Sequence, residues 1–192
     1  IEPSEILTLR DEYLDFFPGQ ASYRELAARA WMIDEFLLRP APGGQPRHLR
    51  IDERFHQKMT TEKVLLHGHC YQKAQPPAAD GLPGGVEATI CLLRAWGYPV
   101  ETITAGCCGM AGAFGYEREH YALSRQVAEL SLLPILRQAG PGCLVAAPGV
   151  SCQAQIKDFT NQEVFHPIEL LRIDFYADFI VQFNSGKGGP KS

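Results

Sequence analysis

Apolar residues in the first forty positions recur at helical spacing. Ile6, Leu9, Tyr13 and Phe16 form one stripe and predict a helix over residues 4–17, stopped by Pro18-Gly19. Leu26, Ala30, Ile33 and Leu37 form a second stripe, opened by a capping box at Ser22-Tyr23-Arg24-Glu25. The pattern ends at residues 40–46, where Pro42, Gly43 and Gly44 predict a linker. Residues 49–61 are polar enough to suit either a short helix or a loop.

Beyond Thr61 the rhythm changes to short apolar runs separated by longer periodic segments. Strands are predicted over residues 63–67, 100–104, 143–147 and 162–165. Between them lie a helix over 85–96, with Val86, Ile90 and Leu93 aligned, and a long one over 116–137. Tyr121, Ser124, Ala128 and Leu132 share one side of the long helix, and Pro134 stands where it could kink the end. Ser151 is placed to cap a further helix, and Pro167 to open the last. Strands joined through helices need right-handed crossovers, so the sheet is parallel. The expected fold is α/β: a Rossmann-like parallel sheet with helices on both faces, preceded by N-terminal helices. Ligands of such sheets bind in the loops at the carboxyl ends of the strands. His67, Cys70, Cys107, Cys108 and Cys152 all lie at or soon after those ends.

Composition narrows the chemistry. The 192 residues are 45% hydrophobic and 21% charged with a formal net charge of −4, ordinary for a globular domain with a helical appendage. No Lys/Arg cluster stands out, which argues against nucleic acid or an anionic membrane as partner. The apolar runs are interrupted by charge well before bilayer length and no signal-peptide pattern opens the chain, so a soluble, cytoplasmic protein is expected. Ile1 at the start suggests a fragment or processed product, and residues 184–192 a disordered tail.

Without a secretory signal the six cysteines are expected to be reduced, and the adjacent Cys107 and Cys108 are poorly placed to bridge each other. Thiolates are soft ligands suited to iron–sulfur clusters and zinc. The paired Cys-x-x-Cys of a zinc ribbon and the close-spaced run of a ferredoxin are both missing. A centre would therefore gather Cys70, Cys107, Cys108 and Cys152 from separate strand ends. Gly106 and Gly109 flank the vicinal pair and, with Gly112 and Gly115, suit a loop whose amides approach cluster sulfides. His67 and His69 are candidate further ligands, set against the plainer reading of loop histidines bonded to backbone. Cys91 and Cys143 read as core thiols, and His120 and His166 as structural.

The order His-Gly-His-Cys70, then Gly-Cys107-Cys108-Gly-Met-Ala-Gly, then Ser-Cys152 resembles the cysteine-rich CCG domain. That domain occurs in one of the subunits of heterodisulfide reductase, in glycolate and lactate oxidase iron–sulfur subunits and in some glycerol-3-phosphate dehydrogenase subunits. The phrases HGHCYQKA, AGCCGMAGAFGYEREHY and EPSEILTLRDEY resemble more narrowly the C-terminal region of fused FAD-linked D-2-hydroxyacid oxidases and dehydrogenases. The likeness runs from residue 2 to about 172. It implies that Cys70, Cys107, Cys108 and Cys152 ligate an iron–sulfur cluster. The last motif of the family is Cys-x-x-Cys, whereas this chain has Gln155 at its second position, leaving four thiols for a [4Fe–4S] cluster or a single tetrahedral metal. It also implies that residues 1–40 are the helical tail of a preceding repeat, 41–61 a linker, 62–183 the α/β CCG domain and 184–192 a tail.

The function so implied is electron transfer. FAD elsewhere in the full protein would oxidise a D-2-hydroxyacid such as lactate, glycolate or 2-hydroxyglutarate, and the cluster would pass electrons to an acceptor. The fragment alone is not expected to turn over substrate, and a place in the cytoplasm, peripheral to the inner membrane through the full complex, would suit it. Two readings from other classes stand beside this: a structural zinc site, and a thiol–disulfide module in which a helix dipole near residue 115 activates Cys107 and Cys108.

Overall fold

A computed structural model describes residues 2–41, 43–44, 62–76, 78–140 and 142–171. The segment 49–61, most of the linker and the tail at 184–192 lie outside the described residues, as do residues 172–183.

Helix α1 (Pro3–Leu7), a π-helical turn (Thr8–Glu12) and α2 (Tyr13–Phe16) run on without a break, in place of one uniform helix. A π turn places an extra residue in the coil and rotates the helix beyond it. Ile6 is accordingly buried while Phe16, expected on the same stripe, is 68% exposed.

The second expected helix is two: α3 (Ala21–Arg29) and α4 (Ile33–Leu38). Gln20, and not Ser22, holds the N-cap of α3, so the capping box read from Ser22 and Glu25 does not form. Polar contacts hold the break. Arg10 Nε donates to the Ala30 carbonyl at 2.5 Å, and the Met32 N–H donates to Glu35 Oε2 at 3.0 Å.

Four parallel strands complete the architecture: β1 (Lys63–Leu66), β2 (Val100–Thr102), β3 (Cys143–Ala146) and β4 (Val164–Phe165), in the order β2-β1-β3-β4. The register pairs Val64 with Val100, Lys63 with Cys143 and Val145 with Val164. Their connections carry α5 (Cys70–Ala74), α6 (Gly85–Ala95), α7 (Tyr121–Glu129), α8 (Leu132–Arg137) and α9 (Val150–Thr160). The α/β reading of the sequence holds.

The long helix expected over 116–137 is divided, with a 3-10 turn at Phe114–Tyr116 and a restart between α7 and α8. Proline has no N–H and its ring clashes with the carbonyl four residues back. The chain meets this by beginning α8 at Leu132, which places Pro134 in a first turn, where it is tolerated.

Strand alternation sends side chains to two apolar layers. Val64, Leu66 and Ala146 pack with Ile90, Leu93, Leu170 and Leu171 on one face. Leu65, Val145 and Ala147 pack with Leu132, Leu136, Ile156, Cys108 and Cys152 on the other. Helix α4 lies against α6 and joins the first layer through Leu37 and Leu38. Among the described residues no helix is long and apolar enough to cross a membrane.

Candidate metal centre

The thiols are placed by the ends of three different strands. The β1 ladder runs one residue past Leu66, with the His67 N–H donating to the Ala146 carbonyl at 2.9 Å. His69 then caps α5: its Nδ1 accepts from the Tyr71 N–H at 3.2 Å, and its own N–H donates to Gln72 Oε1 at 3.1 Å. Cys70 is the first residue of that helix.

After β2 the chain turns through Gly106 to Cys107 and Cys108. Gly109 has φ +96°, and a Cβ there would stand 2.2 Å from the Ser124 carbonyl oxygen and 3.1 Å from Gln155 Nε2. Only glycine fits that approach. A Cβ on Gly106 would meet nothing within 4 Å, so close backbone approach belongs to Gly109 and not to its partner across the cysteine pair.

After β3, Gly149 is the N-cap of α9, in place of the expected Ser151. A Cβ on Gly149 would lie 2.4 Å from His69 Cδ2, so the first and third loops touch through this glycine. Cys152 sits in the first turn of α9. One turn on, Gln155 Nε2 donates to Ser124 Oγ at 2.9 Å and to its carbonyl at 3.1 Å, joining α9 to α7.

The four sulfurs form one hydrogen-bonded series: Cys70 to Cys107, Cys107 to Cys108, Cys108 to Cys152. Cys108 and Cys152 are buried, whereas Cys70 and Cys107 are half-buried. Above them opens a cavity of about 640 Å³ lined in part by Cys70, Cys107, Cys108, His69, Tyr71 and Tyr116. Hydrogen bonds from Cys108 and Cys70 hold the Cys107 thiol far below its ordinary range, with help from the Gly109 N–H at 3.3 Å. Cys152 is lowered to about 5, first by its bond with Cys108 and then by His67. Cys70 and Cys108, the partners of Cys107, are pushed up by those hydrogen bonds and by burial. Within the series Cys107 and Cys152 are thus the thiols biased toward the thiolate, the metal-binding form. Hydrogen bonds set the Cys107 shift.

His67 is wholly buried, and its ring lies with Cys108 and Cys152 so that the three ligand atoms fall within 4.8 Å of one another. Cys152 is its near neighbour, yet no aligned hydrogen bond reaches either ring nitrogen among the described residues. A buried polar group left unsatisfied costs about 1–3 kcal/mol. Soft sulfur donors beside an imidazole whose nitrogens find no well-aligned hydrogen bond among the described residues are a donor set that fits a thiophilic metal or an iron–sulfur centre.

Two side chains missed in the sequence frame this site. Lys73 Nζ reaches from α5 to the carbonyls of Ala105 and Gly106, at 2.5 and 3.1 Å, and its charge acts on all four thiols. Glu2 joins the N-terminal segment to the site, with Oε1 3.4 Å from His69 Nε2 and Oε2 accepting from the Val150 N–H at 2.8 Å. A lysine three residues after Cys70 is the one available signal. Nothing in the sequence relates Glu2 to Val150.

The remaining candidates stand apart. Cys91 is half-buried on α6 and bonds Glu87 at 3.6 Å, less of a core thiol than expected. Cys143 lies at the margin of the second apolar layer. His120 stacks on Phe114 and pairs with Glu117 at 2.7 Å, and His166 Nδ1 accepts from the Ile168 N–H at the start of the last helix.

The chain is similar to several curated proteins. It is 28% identical over 172 residues to a D-2-hydroxyglutarate dehydrogenase of Pantoea ananatis (strain AJ13355), matching 89% of this chain and 15% of that protein. The D-2-hydroxyglutarate dehydrogenase of Escherichia coli (strain K12) is 26% identical over the same shares. One of the subunits of the anaerobic glycerol-3-phosphate dehydrogenase of Escherichia coli (strain K12) is 30% identical over 170 residues, 85% of this chain and 36% of that one. The chain thus spans only 15% of the length of the first two. No family model matches it, and no solved structure does.

Proposed function

We propose that this chain is the iron–sulfur electron-transfer portion of a flavin-linked oxidoreductase, with Cys70, Cys107, Cys108 and Cys152 as its thiolate ligands. The observation that carries this is the convergence of four thiols from three sequence-distant strand ends into one bonded series beneath an open cavity. A centre bound there would supply one-electron chemistry. The protein's own residues do the rest. Gly109 and the Gln155–Ser124 pair fix the vicinal cysteines, burial of Cys108 and Cys152 excludes water, and Lys73 offsets the negative charge of the thiolates. The names of the relatives support a D-2-hydroxyacid, foremost 2-hydroxyglutarate, as the substrate of the whole protein, oxidised at FAD outside this chain. The partners are then a flavin domain and an electron acceptor reached through the cavity, in the cytoplasm or at the inner face of a membrane. The chain by itself turns over no substrate.

A second reading has its own support. The close grouping of His67, Cys108 and Cys152 also suits one tetrahedral zinc.

Anaerobic purification with iron, sulfide and zinc analysis separates the two. Iron and sulfide in equal amounts, with a broad visible band that bleaches on reduction, is the expected result, and Cys107→Ser or Cys108→Ser abolishes it while Cys91→Ala does not. One zinc per chain and no colour refutes the iron–sulfur reading.

A further inference from the structure

We infer that His67 is itself a ligand of the metal centre, giving the site a mixed nitrogen and sulfur donor set, whereas His69 is a positioning residue that holds no metal. The inference rests on the metal-binding reading above and specifies its ligands.

Strand geometry aims His67. Side chains two apart on a strand share a face, and Leu65 lies in the layer that contains Cys108 and Cys152. His67 continues that alternation at the ladder's last hydrogen bond, so its ring enters the same layer from the sheet while Cys152 enters from α9. Imidazole and sulfur ligand atoms at this site lie within 4.8 Å of each other. On a tetrahedral ion with bonds of about 2.0–2.3 Å, two ligand atoms stand about 3.5 Å apart, so small side-chain adjustments close the shell. The ring is fully buried, its polar neighbour is the Cys152 thiol of the site itself, and neither nitrogen finds a well-aligned hydrogen bond among the described residues, which no role as a capping or core histidine explains. A lone pair given to a metal satisfies one of them.

His69 is two residues away and engaged differently. Its Nδ1 accepts from the Tyr71 N–H, which leaves Nε2 as the N–H turned toward Glu2. With both ring nitrogens so occupied, His69 ties α5, the N-terminal segment and the start of α9 together and has no lone pair to offer.

A neutral imidazole in place of a thiolate lowers the negative charge of the centre, which raises a reduction potential relative to an all-thiolate site. The test loads the chain anaerobically and reads its coordination. For an iron–sulfur centre, pulsed EPR of the reduced protein carrying 15N-histidine is expected to show nitrogen coupling. For zinc, X-ray absorption is expected to show an imidazole nitrogen at about 2.0–2.1 Å. The signal persists in His69→Ala, disappears in His67→Ala, and in His67→Cys gives way to sulfur with a lower midpoint potential for iron. Because the wild-type measurement needs no variant, a misfolded substitution leaves the test intact. A metal-loaded wild-type chain with no nitrogen ligand, or nitrogen that survives His67→Ala, overturns the inference and leaves the metal-binding reading standing. A chain that takes up neither iron nor zinc overturns both.

Discussion

Replacing Gly109 by alanine tests whether the cysteine pair is held by backbone approach. The residue has φ +96°, and the new Cβ would stand 2.2 Å from the Ser124 carbonyl oxygen. That contact is with backbone, so no side-chain rotation relieves it. A non-glycine residue in a sparsely populated backbone region costs about 1–3 kcal/mol, and displacing α7 to clear the oxygen adds to it. The shift also disturbs the bonds from Gln155 Nε2 to Ser124, at 2.9 and 3.1 Å, each worth about 1 kcal/mol. A total of about 3–4 kcal/mol results for Gly109→Ala. Gly106→Ala is the control on the other side of the same cysteines, because a Cβ there meets nothing within 4 Å. Its effect should stay within about 1 kcal/mol of zero. Urea unfolding of the reduced chain under anaerobic conditions measures both. Equal midpoints for the two variants would refute the claim that Gly109 is sterically required.

Two further predictions concern polar contacts. Lys73→Met removes the tie to the carbonyls of Ala105 and Gly106 and the cation facing the thiols. Competition with a chelator should show metal held about tenfold less tightly, a difference of about 1.4 kcal/mol, with Lys73→Arg recovering most of it, and an unchanged affinity would count against the strap. Arg10→Met strands Glu35, a carboxylate 1% exposed that Arg10 contacts through two guanidinium nitrogens. Burial pushes the Glu35 carboxyl up, but hydrogen bonds from Arg10, Gly85 and Met32 and the Arg10 charge outweigh it and hold the group below its usual 4.5. In the wild type this carboxylate stabilises the fold above pH 4.5 and that contribution fades as pH falls through the lowered value. Without Arg10 the balance reverses: the buried charge is a cost at neutral pH that disappears once the group is protonated. Loss of stability should therefore be about 3–5 kcal/mol at pH 7 and narrow on acidification, starting above pH 4.5, where the variant's carboxyl takes up its proton, and ending at the lowered wild-type value. The same loss at pH 7 and pH 4 in urea titrations would refute it.

The sheet is legible in the sequence because each strand is a short apolar run and each crossover a periodic one, and the cysteine-bearing loops follow from that order alone. Local breaks are not. The stripe through Leu26, Ala30, Ile33 and Leu37 reads as one helix, yet Arg10 claims the Ala30 carbonyl and Glu35 the Met32 N–H, bonds spanning 20 and 3 residues. The first of these is invisible to any local pattern. Pro134 reads as a kink, but its consequence, a restart that makes it a first-turn residue, depends on where the chain can turn between α7 and α8. At the site, thiol positions are readable as strand ends. The distinction between His67 and His69 is not, because it depends on which ring finds a hydrogen bond after folding.

The same contacts make the approach of these cysteines to one another depend on the folded chain. Cys70 depends on a cap at the end of β1, Cys107 and Cys108 on a glycine pressed against α7, and Cys152 on a turn at Gly149 that touches His69. The pairs that close the assembly lie far apart in sequence: Glu2 with Val150 across 148 residues, Lys73 with Gly106 across 33, Gln155 with Ser124 across 31. Closing such loops is entropically costly until the sheet has brought their ends together. The donor set therefore forms with the fold as a whole. A ligand that binds only this folded arrangement is linked to global stability and not merely to the order of one loop. In that sense the cavity's floor is continuous with the core: Cys108 and Cys152 belong at once to the second apolar layer and to the sulfur series. Packing there decides how far apart the sulfurs stand.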